Sequence, residues 1–534
     1  MAQQVLRAAV PLGPDGLWGS RNYATTPKTC LLAADGVDYY GGIISREGGA
    51  LRFTTATGIL ATTVAIVGGH DFWPTRTSQE PVIFCSNGAI MRDGGNGLFT
   101  ATLATGLTAS GISPVFVQGG QEAASLSRKL FVFTGVNTPR VIAGSGAATA
   151  SGIGSPPADW SGSNQPSFGF IAGNRLWAGG TPTNPHMLYY SQPTNHEIFT
   201  NSSSAGTGAG TMLVYPGQGE YLMAGVEFKG FIVVWKYPKG IYLIDTRDPN
   251  VAFWTIQTQS RNVGLCGPNA WCNVDDDILF MDTAGQIQAL SRTGPEVFSS
   301  VPISDVKQMR DFIADNIDTS RLWAAKMVYY AYKREVHVAV TSSSGTLNDR
   351  RLIIDLNKPG NVRFRWSSRD SCEALWLQKD SDKIERPMVG DSGGRVWRLD
   401  YDSKTKEGDY TSQFQTANMD FSDLDAAFAT RDKNGKFLEI TYEQTGDYTL
   451  YADIYWDERY EETITFRMGT NTTGFTYTFP VVFAQRGRLA VARTRITGSG
   501  RRFSVVFRME TANQDFKLAD CFLGFTPGNE KADF

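Results

Sequence analysis

An apolar strand, a glycine-bearing turn and a second strand recur as one phrase along most of the chain, and that repetition limits the fold more than any other feature. The copies read VIFCSNGAIMRD (82–93), LFVFTGVNTPRVI (130–142), FIVVWKYPKGIYLID (231–245), DILFMDTAGQIQAL (277–290), VHVAVTSSSGTLNDRRLIIDL (336–356) and RPMVGDSGGRVWRLD (386–400). NRLWAGGTPTNPHMLYYSQ (174–192) is a looser copy with a longer turn. The turn glycines are Gly88, Gly135, Gly180, Gly240, Gly285, Gly345 and Gly393, separated by 47, 45, 60, 45, 60 and 48 residues. A tight hairpin needs positive φ at a corner, which glycine reaches without a Cβ clash. Each interval has room for about four strands, the span of one β-propeller blade of ~40–50 residues. A lone hairpin is marginally stable, whereas blades stacked around an axis bury one another's faces. The expectation is an all-β chain with a propeller of six or seven blades over 51–405. A long β-sandwich is the competing layout.

The rest of the chain fits around this core. AGSGAATASGIGSPPADWSGSNQPS (143–167) and TNSSSAGTGAGT (200–211) read as long exposed loops. SDVKQMRDFIADN (304–316) is the best helical pattern, with Ser304 as a cap and Val306, Met309 and Ile313 on one face. From about 410 the rhythm changes to FLEITYEQ, YTLYADIYWD, ETITFRMG, FTYTFPVVFA, LAVARTRITG and RRFSVVFRME. Strong alternation with short turns predicts a separate antiparallel, sandwich-like domain over 410–534. Residues 1–50 remain as an extended N-terminal docking segment.

Composition sets outer limits. A chain of 534 residues exceeds one ordinary core, and 41% hydrophobic residues supply a large one. Fifty basic against 53 acidic residues leave a net charge of −3, which argues against tight grip on a nucleic-acid backbone but allows nucleic acid to slide past. The start MAQQVLRAAVPLG lacks the apolar core of a secretory signal, and no uncharged apolar run approaches the ~18 residues of a membrane helix. The expectation is a soluble chain made in a cytoplasm.

Chemistry-bearing constellations are scarce. The four histidines, His70, His186, His196 and His337, read as structural or surface residues. Cys30, Cys85, Cys266, Cys272, Cys372 and Cys521 are too scattered for a zinc or disulfide framework and read as buried thiols. Asp275, Asp276 and Asp277 are consecutive, so they cannot converge as calcium ligands do. GSG (144–146) and GTGAG (206–210) lack the Lys-Ser/Thr of a phosphate cradle. DSGGRVW (391–397) approaches the aspartate box of sialidase-type propellers, with Trp397 one place late, and the other hairpins do not repeat it. Aromatic and basic residues mix in VRFRWSSRD (362–370) and WKYPKG (235–240), so Trp235 and Trp366 are candidates for stacking sugars. The most basic stretch, RGRLAVARTRITGSGRR, carries Arg486, Arg488, Arg493, Arg495, Arg501 and Arg502, and alternation places many of these on one strand face suited to an interface or channel. No catalytic residue, cofactor or metal is expected.

DGLWGSRNYATTPKTCLLAADGVDYYGGIISREGGALRF (15–53) resembles the opening of β-propeller tail proteins of tailed bacteriophages, with Asp15, Gly16, Asp35, Gly36, Arg46 and Gly48 at the pattern positions. RNVGLCGPNAWCNVDDDILFMDTAGQIQAL (261–290) is similar to a blade of that family, and the short helical stretch follows it. The resemblance covers about the first 400 residues. It implies a structural virion protein such as a tail nozzle or DNA-stabilisation protein. Such a protein forms a homo-oligomeric ring, often a hexamer, below the portal and adaptor, with tail fibres or spikes as neighbours. Double-stranded DNA would pass its axis without sequence-specific contact. A carbohydrate-binding or depolymerising propeller is the alternative expectation.

Overall fold

The computed structural model describes residues 4–530 apart from 24–25, 41, 55–63, 96, 110, 120–127, 194, 201–207, 218, 295–297, 359–361, 370, 402–403, 405–408 and 470–488. Strands dominate, and the described residues contain a single α-helix, Met309–Asn316. Six self-contained sheets of four antiparallel strands form blades over 66–104, 115–152, 168–213, 221–260, 271–302 and 374–401. A seventh blade, 326–367, is the first four strands of a nine-stranded sheet. The innermost strands of all seven, from Ile66–His70 round to Ala374–Lys379, line one central cavity of about 680 Å³. Inner-strand glycines let neighbouring blades close up. A Cβ on Gly69 would lie 2.5 Å from the Trp376 ring, and one on Gly225 would lie 2.3 Å from Phe170.

The N-terminal residues are woven through the whole body instead of forming a docking segment. β1 (Leu6–Ala9), β2 (Leu31–Asp35), β3 (Val37–Tyr40), β4 (Ile43–Arg46) and β5 (Gly49–Arg52) each join a sheet built elsewhere. β5 completes the last blade, with Arg52 opposite Trp397 and Leu51 opposite Arg398, so the two ends of the propeller are tied together. β2 lies between Arg363–Ser367, to which it is parallel, and Ser412–Thr416, to which it is antiparallel. The nine-stranded sheet therefore runs without a break from a blade into the C-terminal domain, ending on Phe503–Met509, Thr449–Trp456 and Arg459–Arg467. The facing sheet carries β3, β4, Lys517–Glu530, Arg431–Glu443 and Leu489–Arg495, with β1 also on Lys517–Glu530. One apolar core spans both parts, from Trp235 and Phe280 to Phe507 and Phe525. The boundary expected near 410 is thus crossed by four N-terminal strands.

Several local expectations change. All seven marker glycines fall between the second and third strands of a blade. Gly88, Gly135, Gly180, Gly240 and Gly285 have positive φ, from 73° to 119°, whereas at the seventh turn Gly394 (φ 74°) takes that role beside Gly393. Gly345 does not lie among the positive-φ glycines. Residues 305–316 split into a 3₁₀ turn and the helix, because Gln308 at φ 50° breaks the register. Val306 is consequently 60% exposed while Met309 and Ile313 are buried. Ser304 does not cap this helix; its hydroxyl accepts the Ile287 amide at 3.2 Å. The stretch 143–167 holds the short strand Ser151–Gly152 and a buried Trp160, so it is not wholly an exposed loop. FTYTFPVVFA and most of 200–211 lie outside the described residues.

A turn device that the spacing did not show unites three hairpins. Asp282, Asp380 and Asp391 each follow directly on a strand end. In each, Oδ1 accepts the amides two and four residues on: Ala284 and Gln286, Asp382 and Ile384, Gly393 and Arg395, all at 2.8–3.0 Å. Oδ2 accepts a side-chain donor six residues on, from Gln288 Nε2 at 2.8 Å, Arg386 Nε at 2.6 Å or Trp397 Nε1 at 2.8 Å. The residue three on, Gly285, Lys383 or Gly394, has positive φ in every case. Trp397 is thus in place for this geometry; the other two hairpins share the clasp but neither the Asp-x-Gly nor the aromatic. The buried donors among these, Gln286 N, Gln288 Nε2 and Trp397 Nε1, would each cost ~1–3 kcal/mol if left unpaired. Asp391→Ala is expected to lower the thermal midpoint of the folded chain, and an unchanged midpoint would contradict the clasp.

Candidate functional site

The basic stretch does not form one continuous face. Arg486 and Arg488 lie outside the described residues. Arg493 and Arg495 share the outward face of the strand Leu489–Arg495, which is the last strand of its sheet. Arg493 Nε donates to Glu439 at 2.8 Å, and Arg7 reaches the other oxygen of Glu439 at 2.5 Å. Arg501 and Arg502 sit past the turn instead, where their backbone amides donate to Asp457 at 2.8–3.1 Å. Leu489 (55% exposed) and Val491 (63%) lie on the same face as Arg493 and Arg495. The opposite sheet ends on Arg459–Arg467, where Tyr460 is 56% exposed. Thr494 Oγ1 donates to the Thr465 carbonyl at 3.4 Å, so both sheet ends open at one edge of the sandwich. Among the described residues, neither end strand is paired on its outer side.

A second cluster, missed by sequence reasoning, lies where the blade 326–367, the β3–β4 hairpin and the last blade meet. Alternation along Glu335–Thr341 and Arg363–Ser367 brings Glu335, His337, Arg365 and Ser367 to the joint. Arg351 donates to Glu47 at 2.5 Å and to His337 Nδ1 at 2.8 Å, and Ser367 donates to the other Glu47 oxygen at 2.8 Å. Arg365 bridges Glu335 at 2.9 Å and Asp38 at 3.4 Å. Lys333 continues the chain from Asp38 at 2.9 Å to Asp400 at 2.5 Å, and Tyr330 donates to Asp400 at 2.8 Å. A polar cleft of about 890 Å³, bounded by Lys333, Asp400, Lys404, Glu443 and Lys517, lies alongside between propeller and sandwich. The visible signal was charge of both signs at alternate positions of otherwise apolar strands. Arg365, within VRFRWSSRD, is buried.

The joint divides its carboxylates. Burial pushes Glu335 up to about 7 despite Arg365 beside it. Burial would also raise Asp38, but Arg365 and Lys333 outweigh it and hold Asp38 well below the usual carboxylate range. Burial holds His337 far below its ordinary value, with Arg351 and Arg365 adding to the effect, so it stays neutral. Glu335 is only 2% exposed and is not part of the cleft wall. Such buried pairs add little net stability, but removing one partner strands the other's charge.

The remaining candidates resolve into structure. Trp235 is fully buried against Trp271 and Phe280, and Trp366 packs edge-on to Phe312 at 5.3 Å, so neither is a groove aromatic. Asp275 and Asp276 make a two-residue turn and pair with Arg334 and Lys229. All six cysteines are free and buried. Among the described residues, no three His, Cys, Asp or Glu side chains converge as a metal set would.

The split at the joint has a testable sign. An acid whose folded value exceeds its unfolded one stabilises the fold below about pH 4.5, and that contribution is lost as pH rises through about 7. Glu335→Gln removes this titration. The variant is expected to gain on the wild type as pH rises between about pH 5 and about pH 8. Thermal melts whose difference stays flat over that range would contradict the assignment.

No family model and no curated protein matches the chain. Among solved structures it is similar in shape to BamB from Moraxella catarrhalis, at 10% identity over 63% of this chain and 98% of that one, with a TM-score of 0.34. BBS1N in complex with ARL6DN matches at 11% identity over 66% and 98%, with a TM-score of 0.42. The computationally designed Ika8 protein matches at 10% identity over 69% and 96%, with a TM-score of 0.35. These are likenesses of shape alone.

Proposed function

We propose that the chain is a structural assembly protein, not an enzyme, whose propeller–sandwich body packs with copies of itself into a ring. The observation that supports this reading is the open edge of the sandwich. Two sheets end there on strands that pair with no further strand among the described residues, and Leu489, Val491 and Tyr460 are exposed beside them. Soluble proteins usually blunt or cover such edges, so an unpaired apolar edge calls for a partner surface.

The resemblance of 15–53 and 261–290 to phage propeller tail proteins supplies the setting. In this reading the protein is a tail nozzle or hub of a tailed bacteriophage virion, assembled in the host cytoplasm. Its neighbours are adaptor or portal-proximal proteins and tail fibres or spikes, and six copies are the expected number. DNA would run along the ring axis between subunits. The propeller's own cavity, at about 680 Å³, has the size of a small-ligand pocket and cannot serve as a duplex conduit.

Mass photometry of the purified chain tests the reading. The expected result is a species several times the 58.5 kDa of one chain, and a shift to monomer for Leu489→Glu combined with Val491→Glu. A monodisperse wild-type monomer that is also absent from purified phage particles would overturn it.

A further inference from the structure

At the rim of the central cavity, residues of the first, second and last blades meet around a separate cleft of about 640 Å³. In the third, fourth and fifth blades the link between first and second strands is only two residues: 173–174, 229–230 and 275–276. In the first blade it runs over 71–81, and in the last, 374–401, over 380–384. Lengthened loops on a rigid scaffold are where binding groups concentrate.

These loops are stitched to one another. Arg128 N donates to the Pro74 carbonyl at 2.8 Å, and Trp73 N donates to Gln118 Oε1 at 2.9 Å. Gln79 Nε2 donates to the Lys379 carbonyl at 2.8 Å, and Lys379 N donates to Asp71 Oδ2 at 3.0 Å. Phe72 is fully buried beneath them. The cleft wall is therefore held in place before any ligand arrives.

That wall is cationic. Arg76, Arg128, Lys379 and Lys383 line it, against Asp71 and Glu385. Asp71 is committed to the Trp73 indole, Gln79 and Lys379, while Glu385 sits 3.4 Å from Lys379. Among the described residues, Arg76, Arg128 and Lys383 have no acidic partner within ion-pair distance. Asp382, the neighbour of Lys383, lies outside the wall. Arg493, by contrast, is paired with Glu439, so the unpaired charge here is a local property and not the rule for this surface. A fold with a net charge of −3 has no structural need to gather unpaired cations at one rim.

We infer that this cleft binds a compact polyanion bearing phosphate groups. Two guanidinium groups supply paired, planar donors suited to phosphate oxygens, the lysines add point charges, and the Trp73 indole flanks the site. The volume lies within the ~300–1,000 Å³ of small-ligand sites. Duplex DNA would instead call for charge spread along an extended face. This inference stands apart from the ring assembly, which rests on the opposite kind of surface at the sandwich edge.

Isothermal titration calorimetry of the full chain with sodium tripolyphosphate tests it. The expected result is one site per chain, weakened at least tenfold by Arg76→Ala with Arg128→Ala, and likewise by Lys383→Glu. Arg495→Ala with Arg502→Ala should leave the affinity unchanged, with all variants melting as the wild type does. No binding, or equal weakening by the Arg495 and Arg502 pair, would overturn the inference. Tighter binding of citrate than of tripolyphosphate would also overturn it, as would retention of a DNA duplex without tripolyphosphate binding.

Discussion

The pairing of β2 and β5 with strands far away in sequence is the constraint on which the rest of the structure depends. β2 fills the gap between a propeller strand and a sandwich strand, where Gly36 N donates to the Trp366 carbonyl at 2.9 Å and Asp35 accepts the Ser368 amide at 2.8 Å. Without it, two sheet edges would be left with unpaired backbone groups inside the body. β5 then closes the ring, which fixes the spacing of all seven inner strands and so the shape of the cavity they line. Glu47, between β4 and β5, carries the same linkage into the ionic joint through Arg351 and Ser367.

Charge is used in three distinct ways on this frame. At the joint, acids and bases are buried together and satisfy one another, so that removing one partner strands the other's charge. At the sandwich edge, Arg493 is tied down by Glu439 while Leu489 and Val491 remain exposed, so apolar contact dominates that surface. At the cavity rim, cations outnumber acids, and only Lys379 among the four lies within ion-pair distance of one. A chain whose charges nearly cancel overall thus owes its surface chemistry to placement, not to sum.

The propeller was legible because its signal is local. A glycine in each second hairpin follows from the backbone of that turn alone, as Gly88 and Gly285 illustrate with φ near 80°. The aspartate clasps were not legible, because the donor six residues on differs each time, as Gln288, Arg386 or Trp397, and the positive-φ position accepts Lys383 as well as glycine. The roles of β2 and β5 were hidden by distance, since Asp35 pairs with Trp366 and Arg52 with Trp397. Burial inverted the reading of Trp235 and Arg365, whose neighbours in sequence resemble a surface but whose neighbours in space are a core. The rim cleft combines both difficulties, because its four cations come from three blades.

Native-state hydrogen exchange, resolved by peptide, tests the central claim that the N-terminal strands bind propeller and sandwich into one cooperative body. The account predicts that residues 31–52 are protected as strongly as 326–367 and 431–443, and that all three lose protection together as denaturant is raised. Rapid exchange of 31–52 while the blade and sandwich strands stay protected would contradict it.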